Sequence, residues 1–368
     1  MPGPDQQEDV DVVDTRGRAH VRLRRLRSPF PQRTGAETSP PLRRVRPRRV
    51  LIGVAVLLVA WLAFLVLVPL YAWGKVHRVN ADPGGARPAA SKGHDYVLVG
   101  SDSRVGLTRA QQKQLATGSV KVAEGNRTDS IILVHVPAGG GKPAMITLPR
   151  DSYVPIPDHG TNKINAAYTL GGPRLLVQTI EQVTDVHIDG YVEIGFGGFA
   201  SVVDSLGGVD LCVAKPMKDR RAGINLKAGC QTLDGPNALG YVRARYSDPL
   251  GDIGRVQRQR QFLGAIMHKA AGPSTVLIPW RYYGFATSAG AGLTVGQDTS
   301  LRDVTRVLQA LRSVSNGDGL SLTVPVSNPS LPTHVGSAVK WDSQKALELF
   351  NAIKNDTPLT VPPAGSGK

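Results

Sequence analysis

No Cys-x-x-Cys pair and no histidine cluster occurs in these 368 residues, so a metal caged by thiolates or imidazoles is not expected. No GxxxxGK[ST] loop is present and no GxGxxG follows a strand-like run, so no nucleotide is implied. A GxSxG elbow and a Ser/His/Asp set are also missing, which removes the common acyl-transfer designs. The chain has no internal repeat. It is short of acid: 29 Asp and Glu stand against 44 Lys and Arg, a formal charge of +15.

That surplus is unevenly placed. Met1–Arg49 holds 12 Arg, no Lys and 6 acidic residues, and it has few large apolar side chains, so it reads as a disordered tail. Val50–Trp73 then runs without a charge, and about 24 residues at a rise of about 1.5 Å span roughly 36 Å, enough to cross a bilayer with tilt. Tyr71 and Trp73 fall where an interfacial aromatic belt belongs. The run is too long for a cleaved leader, and no small-x-small site follows it. Arginine on one side only places the tail in the cytoplasm and the rest outside the cell membrane. About +6 of the charge is thereby explained by topology and about +9 remains outside, where it suits a phosphate-bearing partner and not nucleic acid. In that oxidising exterior Cys212 and Cys230 are expected to form a disulfide. It closes a loop of about 19 residues and stabilises by roughly 2–4 kcal/mol.

Residues 74–93 read as a Pro/Gly/Ala linker, 94–355 as one α/β domain, and 356–368 as a disordered end. Several predicted strands deliver charge at an edge. DYVLVG ends in Ser101-Asp102-Ser103-Arg104. Arg127-Thr128-Asp129 opens IILVHV, and AMITLP ends in Arg150-Asp151. Polar groups past strand ends are where α/β folds place sites. Between the first two lies a looser segment, Val105–Gly125, with a short helix. Pro173–Val183 reads as a helix and His187–Ile194 as a strand. Phe196–Leu206 reads as a helix, Ser300–Val314 and Val339–Lys354 as further helices, and LSLTVPV as a strand.

The densest stretch is YVRARYSDPLGDIGRVQRQRQFL, residues 241–263. Tyr241–Tyr246 alternates as a strand does, and a helix is expected from Asp252 or Gly254 to about Ala271. Arg255, Arg258 and Gln259 share a face that turns apolar at Phe262 and Ile266. Cations in a first turn oppose the helix dipole, an arrangement best explained by an anion among them. An anionic head with an apolar tail fits that stripe. Two carboxylates, Asp102 and Asp129, suit a hard cation. Arg104, Arg127, Arg150, Arg243 and Arg255 suit bidentate bonds to phosphate oxygens. The combination is that of phosphoryl transfer, although surface arginines and N-capping by Asp252 have simple structural readings as well.

The blocks GSDSR, NRTDSIIL, LPRDSYV, KINAAYTLGG, YVEIGFGGFASVVDSLGGVDL, LDGPNALGYVRAR and DPLGDIGRVQRQRQFL, in this order over residues 96–267, resemble the LytR-CpsA-Psr family. The resemblance implies an α/β fold with a central mixed sheet flanked by helices in three layers, behind one transmembrane helix. It implies a Mg²⁺-dependent phosphotransferase, with Mn²⁺ as the alternative ion, that moves a glycopolymer from a polyprenyl-pyrophosphate carrier to peptidoglycan. A lipid-carrier pyrophosphatase and a non-catalytic polyprenyl-phosphate-binding regulator are the alternatives. By motif, Asp102 and Asp129 would bind the metal. Arg127, Arg150, Arg243, Arg255 and Gln259 would hold the pyrophosphate, with Arg104 and Arg258 beside them, and Asp252 would help position or deprotonate the acceptor hydroxyl. Residues 103–128 look like an insertion relative to shorter members, and the match weakens after Pro273.

Overall fold

The structure, a computed structural model, describes residues 47–103, 107–116, 128–244 and 251–359, with the backbone alone for 47 and 251–257. Almost all of the expected disordered tail, Arg104, Arg127 and the last nine residues lie outside the described residues. So do the side chains of Asp252 and Arg255. The chain divides into two units, Met1–Val56 and Leu57–Lys368.

In chain order the elements begin with helix α1 (Pro47–Trp73), strands β1 (His77–Val79) and β2 (His94–Ser101), α2 (Arg109–Gln114), β3 (Thr128–Val136) and β4 (Ala144–Leu148). The hairpin β5 (Tyr153–Ile156) and β6 (Gly160–Lys163) leads into α3 (Ile164–Thr184), β7 (Gly190–Gly195) and α4 (Phe196–Ser205). Four short strands follow, β8 (Val209–Val213), β9 (Met217–Asp219), β10 (Ile224–Leu226) and β11 (Gly229–Leu233), then α5 (Gly235–Arg243) and α6 (Gly251–Ala270). The chain closes with α7 (Pro273–Val276), α8 (Pro279–Gly292), β12 (Leu293–Gly296), α9 (Leu301–Ser315), β13 (Leu320–Thr323), the hairpin β14 (Val326–Thr333) and β15 (Gly336–Trp341), and α10 (Ser343–Lys354).

The central sheet has seven strands in the order β1-β12-β7-β2-β3-β4-β13, mixed in direction. Its middle strands are apolar on both faces, as strands covered on both sides must be. Val97, Val99, Ile131, Leu133, Ile146 and Leu148 turn one way, onto Leu176 and Ile180 of α3 and Leu349 and Phe350 of α10. Tyr96, Ile132 and Val134 turn the other way, onto Val307 and Leu311 of α9 and Leu263 and Met267 of α6. The result is the three-layer α/β architecture expected. A satellite core gathers β8–β11, α5 and Phe262 of α6. Within it Cys212 and Cys230 stand opposite each other on β8 and β11 and form the expected disulfide.

α1 extends the apolar run by three residues at its start and is long and apolar enough to cross a membrane. Four expectations need correction. Residues 74–93 are not linker throughout, because His77–Val79 forms strand β1 and pairs with β12 at the edge of the central sheet. Tyr241–Arg243 is the last turn of a helix, not a strand. Asp234 caps its start by accepting from the Asn237 N–H, and Pro236 sits in the first turn, so local capping overrides the alternation. Val339–Trp341 belongs to strand β15, and the helix begins only after Asp342, which accepts from the Lys345 N–H. The helix expected at Pro173 starts nine residues earlier, and Gly171 and Gly172 kink it, the latter at φ +65°.

Candidate functional site

β2 and β7 run parallel, β4 and β13 run parallel, and β3 lies antiparallel between β2 and β4. The carboxyl ends of β2, β4 and β7 and the start of β3 therefore meet at one end of the sheet. The β2–β3 register steps from Gly100↔Ser130 to Ser101↔Thr128, leaving Asp129 as the extra residue of a bulge. Bulges re-aim side chains at such ends. Asp102 follows β2 directly, so the two aspartates emerge from adjacent strands at that same edge.

Arg150 leaves β4 two residues beyond Leu148, whose partner Ile131 stands two residues after Asp129. That register brings the Arg150 Nη1 to 2.7 Å from Asp129 Oδ1. Arg150 Nε lies 3.5 Å from Asp151 Oδ2, and Asp151 Oδ1 lies 3.1 Å from the Lys163 ammonium. Burial lowers the Arg150 pKa, but the Asp129 and Asp151 carboxylates more than offset it, and the guanidinium stands above its ordinary value. The turn is held from below. Ser152 is fully buried and donates to the Pro149 carbonyl, Trp341 Nε1 donates to Ser152 Oγ, and the Asn165 N–H of α3 donates to the Arg150 carbonyl.

The Asp102 side rests on a buried carboxylate that the motifs did not single out. Glu193 of β7 accepts from Ser101 Oγ at 2.5 Å, from the Tyr168 hydroxyl at 2.9 Å and from the Tyr191 hydroxyl at 2.6 Å. Burial and then the Glu193 charge push both tyrosine pKa values up, so the hydroxyls stay protonated as donors. Gly195 lies against the Ser103 carbonyl, where a Cβ would approach to 3.2 Å. Glu193→Ala should thus leave three buried hydroxyls without their acceptor and lower stability by about 1–3 kcal/mol or more, read as a drop in the urea midpoint. An unchanged midpoint would remove Glu193 from this support. The available signal was a charged residue inside an apolar strand, Tyr-Val-Glu-Ile.

Helices close the rim. Arg243, in the last turn of α5, donates to the Leu115 carbonyl at 3.4 Å and lies 4.3 Å over the Phe196 ring at the head of α4, just past β7. Gln259 Nε2 donates to Ser130 Oγ at 3.3 Å, which fixes α6 across the start of β3 beside Asp129. Arg255 precedes Gln259 by four residues in α6, one turn earlier along the helix. Arg258 turns elsewhere. It is 7% exposed, and its guanidinium donates to the Tyr241 and Ala244 carbonyls at the end of α5. Helix C-terminal carbonyls carry partial negative charge, and a guanidinium satisfies them well. The structure therefore pairs Asp129 with Arg150, ties Gln259 to the adjoining Ser130 and Lys163 to Asp151, leaves Asp102 at the end of the neighbouring strand and Arg243 over the head of α4, and gives Arg258 a capping bond to α5.

Among the described residues, no three His, Cys, Asp or Glu side chains form a metal cage. A hard cation that keeps water and phosphate as ligands needs only one or two carboxylates, and Asp102 and Asp129 have that chemistry.

A model of the LytR_cpsA_psr family matches residues 75–354. The chain is 41% identical over 309 residues to "Probable cell wall biosynthesis protein LcpB" of Corynebacterium glutamicum, covering 84% of this chain and 72% of that one. It is 39% identical over 156 residues to TagU of Oceanobacillus iheyensis, named a polyisoprenyl-teichoic acid–peptidoglycan teichoic acid transferase. That match covers 41% of this chain and 48% of TagU. Among solved structures, TagT bound to LIIa-WTA superposes with a TM-score of 0.51 at 26% identity, over 76% of this chain and 96% of that one. TagT of B. subtilis gives the same TM-score at 25% identity, over 76% and 99%.

Proposed function

The chain belongs to the LytR_cpsA_psr family, and from that premise we propose that it is a membrane-anchored phosphotransferase acting on cell-wall glycopolymer. It takes the polymer phosphate from a polyprenyl-pyrophosphate carrier and joins it to a peptidoglycan sugar hydroxyl. The observation that supports this reading is the pairing of Asp129 with Arg150 at a sheet end that Asp102 and Gln259 also border. Phosphoryl transfer needs little more than positioning and charge neutralisation, and this array offers both. Two relatives support the substrate class: TagU is a polyisoprenyl-teichoic acid–peptidoglycan teichoic acid transferase, and TagT is solved bound to LIIa-WTA.

Arg150, Arg243 and Gln259 bind non-bridging oxygens of the pyrophosphate, joined by Arg104, Arg127 and Arg255 from the sequence motifs. Asp102 and Asp129 would hold Mg²⁺, which when bound neutralises charge on the phosphate oxygens. The acceptor hydroxyl oxygen attacks the phosphorus on the glycan side. The P–O bond to the carrier phosphate breaks, polyprenyl monophosphate leaves with the electron pair, and Asp252 takes the hydroxyl proton. Water is displaced as acceptor by the wall sugar. Leu98, Ile132, Leu263 and Met267, partly exposed between the sheet and α6, provide an apolar face for the prenyl tail. α1 supplies the anchor, with the arginine-rich tail cytoplasmic and the domain outside.

The test supplies lipid-linked pyrophosphoryl polymer and Mg²⁺ to the full-length protein in nanodiscs, with and without peptidoglycan. Carrier monophosphate released only with peptidoglycan, in step with a new wall phosphodiester, is the expected result. Equal release without peptidoglycan would make the protein a pyrophosphatase. Binding without release would make it a regulator.

A further inference from the structure

Between α6 and β12 the chain makes a helical hairpin, α7 and α8, that the proposed reaction does not use. α8 lies along the end of α1. The Tyr282 hydroxyl donates to the Leu65 carbonyl at 2.9 Å, the Tyr282 and Phe64 rings are 5.9 Å apart, and those of Tyr283 and Tyr71 are 6.1 Å apart. Further along, Gly290 meets Ala72 so closely that a Cβ would fall 2.3 Å from the Ala72 carbonyl. The two helices therefore run side by side in the same direction. Val68 and Ala72 are each 6% exposed, while most of α1 before them stays uncovered.

This packing fixes a depth. The start of α8 stands level with Leu65, eight residues before Trp73, or about 12 Å down the α1 axis. The end of α1 has the marks of a membrane boundary. Lys75 lies 5.0 Å over the Tyr71 ring, and Arg78 lies 5.2 Å over the Trp73 ring. At the start of α8, well below that boundary, Leu277 is 62%, Trp280 74% and Tyr283 43% exposed. Arg281 beside them has the long stem that lets a cation reach back to headgroups. Part of the backbone there is satisfied locally. Pro279 has no N–H, Leu277 N–H bonds to the Pro273 carbonyl, and Tyr282 N–H bonds to Ile278.

We propose that the α7–α8 hairpin is a second membrane contact, with Leu277, Trp280 and Tyr283 inserted among lipid acyl chains beside α1. Interfacial helices bury an apolar face about 5–10 Å below the headgroups, and the depth set by Tyr282 and Leu65 falls near that range. α8 then connects the bilayer to the rim of the site. Its last residue, Gly292, touches Gly198 of α4 in an approach that leaves no room for a Cβ, two residues beyond the Phe196 that carries Arg243. The wedge sets the height of the site above the lipid surface. This inference rests on the reading of α1 as the membrane anchor.

The experiment reconstitutes the full-length protein in phosphatidylcholine–phosphatidylglycerol vesicles, with and without lipids brominated along the acyl chain. Tryptophan fluorescence of the wild type is compared with that of Trp280→Phe and Trp61→Phe, so each difference isolates one indole. The Trp280 difference signal should fall about twofold or more in brominated lipid, as for an indole buried at the interface, and should resist aqueous iodide. Quenching of Trp61 by brominated lipid with Trp280 open to iodide would overturn the wedge and leave the anchor standing. Both signals escaping brominated lipid would overturn the anchor and the wedge together.

Discussion

Asp129→Ala should lower kcat by about 10²–10³, the usual loss when one charge-positioning group leaves a transition-state site. The argument rests on two contacts of one residue. Asp129 sits in the bulge that brings β3 level with the end of β2, and its carboxylate receives the Arg150 guanidinium at 2.7 Å. Removing it takes away one of two candidate metal carboxylates and frees Arg150 to swing toward Asp151. The Asp129 side chain is 36% exposed and that of Arg150 29%, so solvent screens the pair. Its loss should cost only about 0–1 kcal/mol of stability. Thermal unfolding should therefore barely change while turnover and its dependence on Mg²⁺ collapse. Wild-type turnover in the folded variant would remove Asp129 from the chemistry.

His135→Ala should have the opposite profile, severe for stability and small for the site. His135 lies in β3 near the far end of the sheet, with Nδ1 2.8 Å from Asp95 Oδ1 and Nε2 3.2 Å from Asp356 Oδ1. Asp95 is fully buried and also accepts from Ser91 Oγ at 3.0 Å. Deleting the imidazole leaves that carboxylate in the protein without its main partner, a loss of about 3–5 kcal/mol. Burial lowers the His135 pKa, yet the hydrogen bond and charge of Asp95 raise it further, so the folded value stands above that of free imidazole. Burial also pushes the Asp95 carboxyl up, against the pull of His135. On both counts the folded state holds its protons more tightly than the unfolded one, so stability falls as pH rises. The His135 share is complete below about pH 6.5 and is lost as pH climbs through the raised folded value. Urea midpoints across neutral to mildly alkaline pH should slope downward in the wild type and flatten in His135→Ala. Parallel slopes would mean that His135 folds neutral.

Much of the scaffold was legible because its signals were local. Both faces of β2, β3 and β4 are apolar, so these strands read as a covered sheet, and α6 begins at Gly251, one residue before the earlier of its two expected starts. α5 was misread because Tyr-Val-Arg-Ala-Arg alternates, and the cap that decides the matter, Asp234 with Pro236, stands seven residues earlier. α8 gave no amphipathic period because one side packs on α1, itself apolar all round, and its exposed side carries Trp280 and Tyr283. The site was legible in part for a similar reason. Asp102, Asp129 and Arg150 announce themselves by standing at the ends of apolar runs. Arg258 carries the same periodicity as Arg255, and nothing in the spacing says that its guanidinium turns back to the carbonyls of α5. Glu193 was hidden because its partners, Ser101, Tyr168 and Tyr191, come from three separate places in the chain.

The most direct test is an electron-density map of the full-length protein carrying a polyprenyl pyrophosphate and Mg²⁺. The account predicts pyrophosphate density at the ends of β2 and β4, touching Arg150 and Gln259, with an ion between Asp102 and Asp129 and the prenyl chain along Leu98, Ile132 and Leu263. Pyrophosphate bound away from that edge, with Asp129 still paired to Arg150, would contradict it.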